Sequence, residues 1–305
     1  MRKSVWGVIA SSQLKLLPSV ATQFNDIVAT DPVAGWGFAQ RNTLYTGPAA
    51  QIEDVDNPGT YTDMEFDSDG LVTDSLPYTN NRVTKLYDQW GDDDQEWVDI
   101  NSGAEYFIPY EAGTDTGGVT AATMYMKHNN AVEYVEGGLK SSKTSSTANW
   151  AVDYPKLIST CVRTTNQVRA SILGVKTSTG IVDFNWGMII AHTWDWGIVV
   201  KDTYINITGT DSDYNNGRLY ASILDHSSTA VELYVNDGFA SRSASAVSTY
   251  SYSADESFRI GMFSVNFGQF SGAVFEAHVF DSSTEWTGTE VTDITALQEQ
   301  CENGV

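Results

Sequence analysis

Residues 258–281 read FRIGMFSVNFGQFSGAVFEAHVFD, and this stretch sets the fold class. From Ala273 to Phe280 the chain has the composition of a strand: Val274, Phe275, Val279 and Phe280 are β-branched or aromatic, and Gly272 and Asp281 bound the run. A strand repeats every two residues, so Glu276 and His278 share one face and Ala277 and Val279 the other.

Working outward, the same pattern recurs. Apolar, β-branched or aromatic runs fall at 63–66, 82–87, 123–127, 131–135, 157–164, 168–175, 187–191, 197–200, 219–224, 230–235, 257–265 and 273–280. Gly, Asn, Asp and Ser separate them. Asn215-Asn216-Gly217 and Asn236-Asp237-Gly238 have the chemistry of tight hairpin turns. From 120 onward the strands recur about every ten residues, the spacing of a sandwich or barrel. There is no self-similarity at the period of a solenoid or propeller. A short helical turn is expected within 71–80. A C-terminal helix is expected from a cap at Thr292 or Asp293, with Ile294, Leu297 and Cys301 on one face and Asn303-Gly304 as its end. Residues 1–32 carry Val20, Phe24, Ile27 and Val28 at helical spacing before a break at Asp31-Pro32. They read as an N-terminal arm that docks onto a partner. The expected organisation is therefore an all-β sandwich over 33–305, with an arm before it and a short helix at its end.

Composition narrows the function. The chain has 305 residues, with 17 Lys+Arg against 39 Asp+Glu and a net charge of −22. Such a field repels phosphate backbones, so nucleic acid is not expected as a partner. The acidity fits simple solubility, and equally a protein that works in salt, where repulsion is screened. Nine Trp, 15 Tyr and 12 Phe supply a core and argue against disorder. No apolar run has the length of a membrane span, so membrane insertion is not expected. The first residues, MRKSVWGVIASSQLKLLPSVA, are similar to a signal peptide, but Lys15 interrupts the apolar part and they are expected to be retained. Two cysteines, Cys161 and Cys301, exclude a disulfide scaffold and a multi-cysteine zinc site. One bridge and two free thiols both remain open.

Four features carry potential chemistry. A glycosidase needs two carboxylates about 5–10 Å apart across the sugar. Glu276 with His278 is the best local acid–base pair, and Glu133 could supply a second carboxylate. The same Glu–His pair also suits the outer face of a sheet. Asp92-Asp93-Asp94 after Gly91 could hold Ca2+ through oxygens, and Asp67-Ser68-Asp69-Gly70 begins like a calcium loop without its later ligands. Asp/Gly turns without metal have the same composition. The histidines are scattered, and no zincin, nucleophile-elbow, phosphate-loop or dinucleotide pattern is present. The most pointed feature is aromatic: Trp186, His192, Trp194, Asp195 and Trp196 fall within eleven residues. Rings that stack on sugar C–H faces, beside a carboxylate that binds hydroxyls, form a candidate carbohydrate-binding group. Tryptophans at this density also suit a sandwich core.

Residues 35–75 and 82–100 carry a resemblance. Leu44-Tyr45-Thr46-Gly47-Pro48-Ala49, then Asp69-Gly70-Leu71, then Val83-Thr84-Lys85-Leu86-Tyr87-Asp88-Gln89-Trp90-Gly91 occur in order. This segment resembles the front half of the arabinofuranosidase B catalytic-type domain. The back half resembles a concanavalin A-like (laminin G-like) domain in its closing strands and helix. The resemblance implies a concanavalin A-like jelly-roll β-sandwich. It transfers no catalytic residue, because the adjacent cysteine pair and the nucleophile run of those enzymes are missing here. The front module also resembles domains of structural proteins of tailed bacteriophages. The expectation is a non-enzymatic virion surface protein, a capsid decoration, fibre or tail-associated component. It would oligomerise with copies of itself, contact other virion proteins through its arm and present a face to host surface glycans. A glycoside hydrolase acting on arabinose-containing polysaccharide and a stand-alone lectin are the alternatives.

Overall fold

The computed structural model describes residues 24–68, 70, 72, 77–78, 81–99, 107–110, 123–126, 137–163, 170–176, 184–192, 195–200, 203–207, 219–235, 240–245, 250–260, 268–269 and 272–303. Most of the arm, the run at 131–135 and the Asn215–Gly217 turn lie outside them. A one-turn helix α1 (Phe24–Ile27) is followed by β1 (Ala34–Gly37), β2 (Ala50–Asp54), β3 (Tyr61–Met64), β4 (Asn81–Leu86), β5 (Gln95–Asp99), β6 (Phe107–Tyr110), β7 (Thr123–Met126), β8 (Gly137–Ser141) and β9 (Pro155–Arg163). The chain continues through β10 (Ala170–Lys176), β11 (Phe184–His192), β12 (Asp195–Val200), β13 (Thr203–Ile207), β14 (Leu219–His226), β15 (Ala230–Val235) and β16 (Ala240–Ser245). It ends with β17 (Ser257–Ile260), β18 (Gly268–Gln269), β19 (Gly272–Asp281) and helix α2 (Gly288–Asn303).

The strands form two sheets packed as a sandwich. The eight-stranded sheet runs β16-β15-β14-β9-β19-β7-β6, with β1 also pairing β19. The eleven-stranded sheet runs β13-β12-β11-β10-β17-β8-β5-β4-β2-β3. Pairing is antiparallel apart from the two-residue β18, which lies parallel to β10. The core between the sheets follows from alternation. In β15 the residues Val231, Leu233 and Val235 point in and their neighbours out, the pattern of a strand wet on one face. Trp36, Phe258, Trp150 and Trp186 fill the middle, with Trp36 stacked on Phe258 at 4.9 Å. Each such ring removed from water contributes on the order of 2–3 kcal/mol.

The two central strands of the eight-stranded sheet are buried on both faces. Leu157, Ala277 and Val279 face the core, while Ile158 and Phe280 join a second cluster with Phe24, Val28, Trp286, Val291, Ile294 and Leu297. That second cluster is the packing of α1 and α2 across the sheet's outer face. The described end of the arm, with Phe24 and Val28 fully sequestered, thus docks onto the chain's own domain. Helix α2 begins at Gly288, not after Thr292 or Asp293. Thr287 caps it: Thr287 N and Oγ1 donate to Glu290 at 2.6 and 2.8 Å, and Glu290 N donates back to Thr287 Oγ1 at 3.3 Å.

Candidate functional site

The Glu276–His278 pair lies on the outer face of β19, as its parity requires, but the helices seal that face. Arg41 grips the carboxylate with two bonds, Nε to Oε2 at 2.7 Å and Nη2 to Oε1 at 3.0 Å. Thr160 Oγ1 donates to Oε1 at 3.0 Å, and His278 Nε2 lies 3.3 Å from Oε2. Arg41 also donates to the Leu297 carbonyl of α2 at 3.1 Å, and the Phe24 ring packs edge-on against His278 at 4.8 Å. Burial alone would raise the Glu276 carboxyl. The Arg41 charge and the donors outweigh it and hold Glu276 well below the usual carboxylate range. Burial pushes His278 below its ordinary value, against the pull of Glu276. With no exposed side-chain surface, Glu276 cannot reach a sugar, and the proposed pairing with Glu133, itself outside the described residues, loses its first member.

A second buried pair lies on the same face. Lys156 bonds Asp225, Trp286 N donates to Asp225 Oδ2 at 2.8 Å, and the ammonium sits 5.0 Å over the Trp286 ring. Burial pulls the Lys156 amine below its ordinary value despite Asp225. These groups anchor α2 on the sheet rather than serve a cleft.

The Tyr87-Asp88-Gln89 element is an internal staple. Asp88 accepts from Gly35 N at 2.9 Å, Trp90 N at 3.0 Å and Asp93 N at 3.2 Å. Burial pushes its carboxyl up to about 6 against those bonds. Gln89 Nε2 donates to the Ala39 carbonyl at 2.9 Å, and Arg41 N donates to Gln89 Oε1 at 2.8 Å, which positions Arg41 for Glu276. Sequence reasoning singled out neither Arg41 nor the interior role of this element.

Asp92, Asp93 and Asp94 point in three directions. Asp92 is exposed and pairs with Lys143. Asp93 is buried, with Oδ1 accepting from Ser141 Oγ at 2.6 Å and Lys143 N at 3.0 Å. Asp94 Oδ1 accepts from Asp88 N at 3.0 Å, and its Oδ2 lies 3.5 Å from Lys85 Nζ. Each carboxylate is thus committed to a different partner, which is why three adjacent carboxylates do not become one ligand set. Among the described residues no three His, Cys, Asp or Glu are grouped for a metal ion.

The aromatic segment also divides. Trp186 has no exposed surface and donates from Nε1 to Tyr252 Oη at 2.9 Å, so it is core and offers no face to a sugar. His192 and Asp195 are opposite one another where β11 meets β12, and Trp196 pairs in register with Ile190 and Ile207. Trp194 and the side chains of His192, Asp195 and Trp196 lie outside the described residues. Cys161 is a buried free thiol.

The outer face of the eleven-stranded sheet is different in character. Strand register aligns Asp63, Gln51, Lys85, Glu96, Lys140 and Arg259 in one row across β3, β2, β4, β5, β8 and β17. Their neighbours Ile52, Leu86, Leu139, Phe258 and Ile260 face the core, so the row faces outward. Tyr87 Oη donates to Asp63 at 2.9 Å, Gln51 Nε2 reaches Asp63 at 3.3 Å, and Lys85 sits 5.5 Å over the Tyr87 ring. Tyr61 beside them is 51% exposed. Hydrogen-bonding groups thus recur at about the 4.8 Å strand spacing, flanked by half-exposed phenol rings. Sequence reading found none of this, because the row exists only through register.

Among the described residues no helix is long and apolar enough to cross a membrane. No family model and no curated protein matches the chain. An arabinofuranosidase solved with arabinofuranosyl-α-1,2-xylobiose is similar over 92% of this chain and 64% of its own, with a TM-score of 0.61 and 12% identity. A GH54 α-L-arabinofuranosidase soaked with 4-nitrophenyl α-L-arabinofuranoside is similar over 90% and 63%, with a TM-score of 0.60 and 12% identity. A Trypanosoma rangeli sialidase mutant displaying trans-sialidase activity covers 71% of this chain and 31% of its own at a TM-score of 0.48 and 12% identity, too low for argument. The chain therefore spans less than two thirds of each of these proteins. What it shares with the arabinofuranosidases is the fold, a two-sheet antiparallel β-sandwich.

Proposed function

We propose that the chain is a non-enzymatic, glycan-binding β-sandwich that serves as a structural protein on a virion surface, like the tailed-phage proteins its front segment resembles. The observation that carries the non-enzymatic part is the commitment of the buried carboxylates among the described residues. Glu276, Asp225, Asp88, Asp93, Glu53 and Glu256 each accept from internal donors. A glycosidase instead needs a carboxylate pair facing a common cleft. The glycan part is supported by the sandwich shared with arabinofuranosidases and by the open polar row beside Tyr61 and Tyr87. Contacts with other virion proteins and with copies of the same chain belong to this reading.

Hydrolysis of arabinosides is the second reading, favoured by the same likeness over 92% of the chain. One pair of measurements separates the two: calorimetric titration of the full chain with arabinoxylan oligosaccharides, and release of 4-nitrophenol from its α-L-arabinofuranoside. Binding without release supports the proposal. Release overturns it in favour of the hydrolase, and the absence of both removes the glycan-binding part.

A further inference from the structure

The edges of the two sheets differ in how they are finished. β13 of the eleven-stranded sheet packs against β16 of the other sheet, and β6 packs against β4. β3 ends the eleven-stranded sheet with no strand beyond it among the described residues. Tyr61, Thr62 and Asp63 are all exposed. Tyr61 and Leu44, at 51% and 87%, are the exposed large hydrophobic side chains among the described residues. Leu44 lies at the same end of the sheet, since its neighbour Tyr45 packs edge-on against Phe66, just past β3, at 6.4 Å.

The phase of the ladder decides which backbone groups this edge presents. Asp54 N donates to the Thr60 carbonyl at 3.0 Å, and Glu53 lies opposite Tyr61. Antiparallel bonding alternates, so Thr62 bonds toward β2, while the N–H and C=O of Tyr61 and Asp63 point away from the sheet. Among the described residues no hydrogen bond reaches those outward groups. Exposed edges are commonly blunted by proline, lysine or a bulge. β3 reads Tyr-Thr-Asp-Met and pairs with β2 in unbroken register. Its one charge is turned back over the sheet, where Asp63 Oδ1 accepts from Tyr87 Oη at 2.9 Å and from Gln51 Nε2 at 3.3 Å.

We infer that two copies of the chain pair antiparallel through β3, about a two-fold axis at Thr62. The register selects a second copy as the occupant. With Tyr61 opposite Asp63 of the second copy, and the reverse, every outward N–H and C=O of both residues is bonded at once. The same register sets each Asp63 against a phenol ring. A slip that brought the two Asp63 residues together would oppose like charges and leave Tyr61 unpaired. The strand is therefore its own complement, which is what an isologous two-fold contact requires. Pairing makes the outer faces of the two sheets continuous, so it extends the polar row instead of covering it. This inference gives the copy-to-copy contact of the proposed function a location, and rests on that part of the reading alone. Interfaces of standard size span micromolar to picomolar affinity, so an edge this short should associate at about 10 µM or weaker. The charge of −22 on each copy opposes association, and screening by salt should strengthen it.

The test is sedimentation equilibrium of the full chain from about 1 µM to about 1 mM, in about 0.01 to 1 M sodium chloride. Tyr61→Pro removes an outward N–H that bonds nothing within the chain, and urea midpoints verify its folding. Thr62→Cys, in a Cys301→Ser background, reads the register under mild oxidation. At the two-fold axis the Thr62 residues form a non-hydrogen-bonded pair with Cα atoms about 4.5 Å apart, within disulfide reach. Tyr61→Cys is offset along the strand and serves as the control. A dimer that tightens with salt, weakens about tenfold or more in Tyr61→Pro, and crosslinks about tenfold faster through Thr62→Cys than through Tyr61→Cys supports the pairing. A dimer indifferent to Tyr61→Pro, or equal crosslinking at both positions, overturns this edge and leaves the copy-to-copy contact standing elsewhere. A monomer at every concentration and salt overturns both and leaves the edge to a strand of another protein. Neither result touches the glycan titrations.

Discussion

Glu276 carries its charge on a side chain with no exposed surface, and the Arg41 guanidinium is the charge that offsets it. Removing one partner of a buried ion pair leaves the other uncompensated, at a cost of about 3–5 kcal/mol. Glu276→Gln should therefore lower the urea midpoint sharply, and adding Arg41→Met should cost much less than the two separate losses combined. Additive losses would show that Arg41 and Glu276 are not coupled. The pH dependence follows from direction. Burial holds His278 below its ordinary value, so the unfolded chain takes up that proton first and stability falls as pH drops below about 6.5. Glu276 is held low, so its stabilisation is complete above about 4.3 and is lost below that value. Asp88 acts in the opposite sense. Burial raises it to about 6, the folded chain binds the extra proton between 3.8 and 6, and its contribution improves as pH falls through that window. Urea midpoints from pH 8 to pH 3 should show an acid limb that shrinks in His278→Gln near pH 6 and in Glu276→Gln near pH 4. An acid limb unchanged in both variants would refute the assignment. At this scale the sequence revealed that Glu276 and His278 share a face, since parity is local. It could not reveal Arg41, 235 residues away, because that contact depends on how strands are ordered.

Elements differ in how legibly they are written. The Asn236-Asp237-Gly238 turn correctly foretold the β15–β16 hairpin, which closes with Val235 opposite Ala240. β16 itself, Ala-Ser-Arg-Ser-Ala-Ser, lacks apolar alternation and was not anticipated. β1 is not legible in the sequence, because Ala34-Gly35-Trp36-Gly37 lacks the β-branched run of a strand and two of its four residues are glycine. Its glycines are required by close approach. A Cβ on Gly35 would lie 2.2 Å from His278 Nδ1, and one on Gly37, at φ +157°, would lie 2.6 Å from the Phe275 carbonyl oxygen. Gly35→Ala should therefore destabilise by about 1–3 kcal/mol or more, since the crowded neighbours are themselves fixed. A urea midpoint equal to wild type would show that His278 can move aside. The start of α2 is written in Thr287-Gly288-Thr289-Glu290, which has the capping-box spacing and precedes the Thr292–Asp293 cap that the apolar periodicity favours. Thr287→Ala should cost about 1 kcal/mol in urea unfolding, and Glu290→Ala should fall on the same helix end. Helical circular dichroism with an unchanged midpoint in both would mean that Arg41, Gln298 and Trp286 alone hold α2. Gln298 donates to the Ser159 carbonyl and to Thr160 Oγ1, each at 2.9 Å, which gives that alternative a physical basis.

The whole molecule places two kinds of electrostatics in opposition. A net charge of −22 makes the folded state repel itself, and this repulsion acts between exposed groups through water. The Debye length shrinks from about 30 Å at 0.01 M salt to about 3 Å at 1 M, so added salt removes that repulsion. The attractive pairs are placed where salt reaches them least. Arg41–Glu276 and Lys156–Asp225 are sealed between the eight-stranded sheet and α2, with no more than 4% of any of these side chains exposed. The exposed pairs, such as Lys143–Asp92, contribute little to begin with. Screening should thus subtract more repulsion than attraction. The urea midpoint of the full chain should rise as sodium chloride increases from about 0.01 to 1 M, the range over which the Debye length changes most. Most of the gain should come below about 0.2 M, where that length falls through the spacing of surface charges. Sodium sulfate strengthens apolar burial in addition, so a rise confined to sulfate would point to that effect instead. A midpoint that falls with chloride would mean that the ion pairs outweigh the surface field, and would argue against salt tolerance as the reason for so acidic a surface.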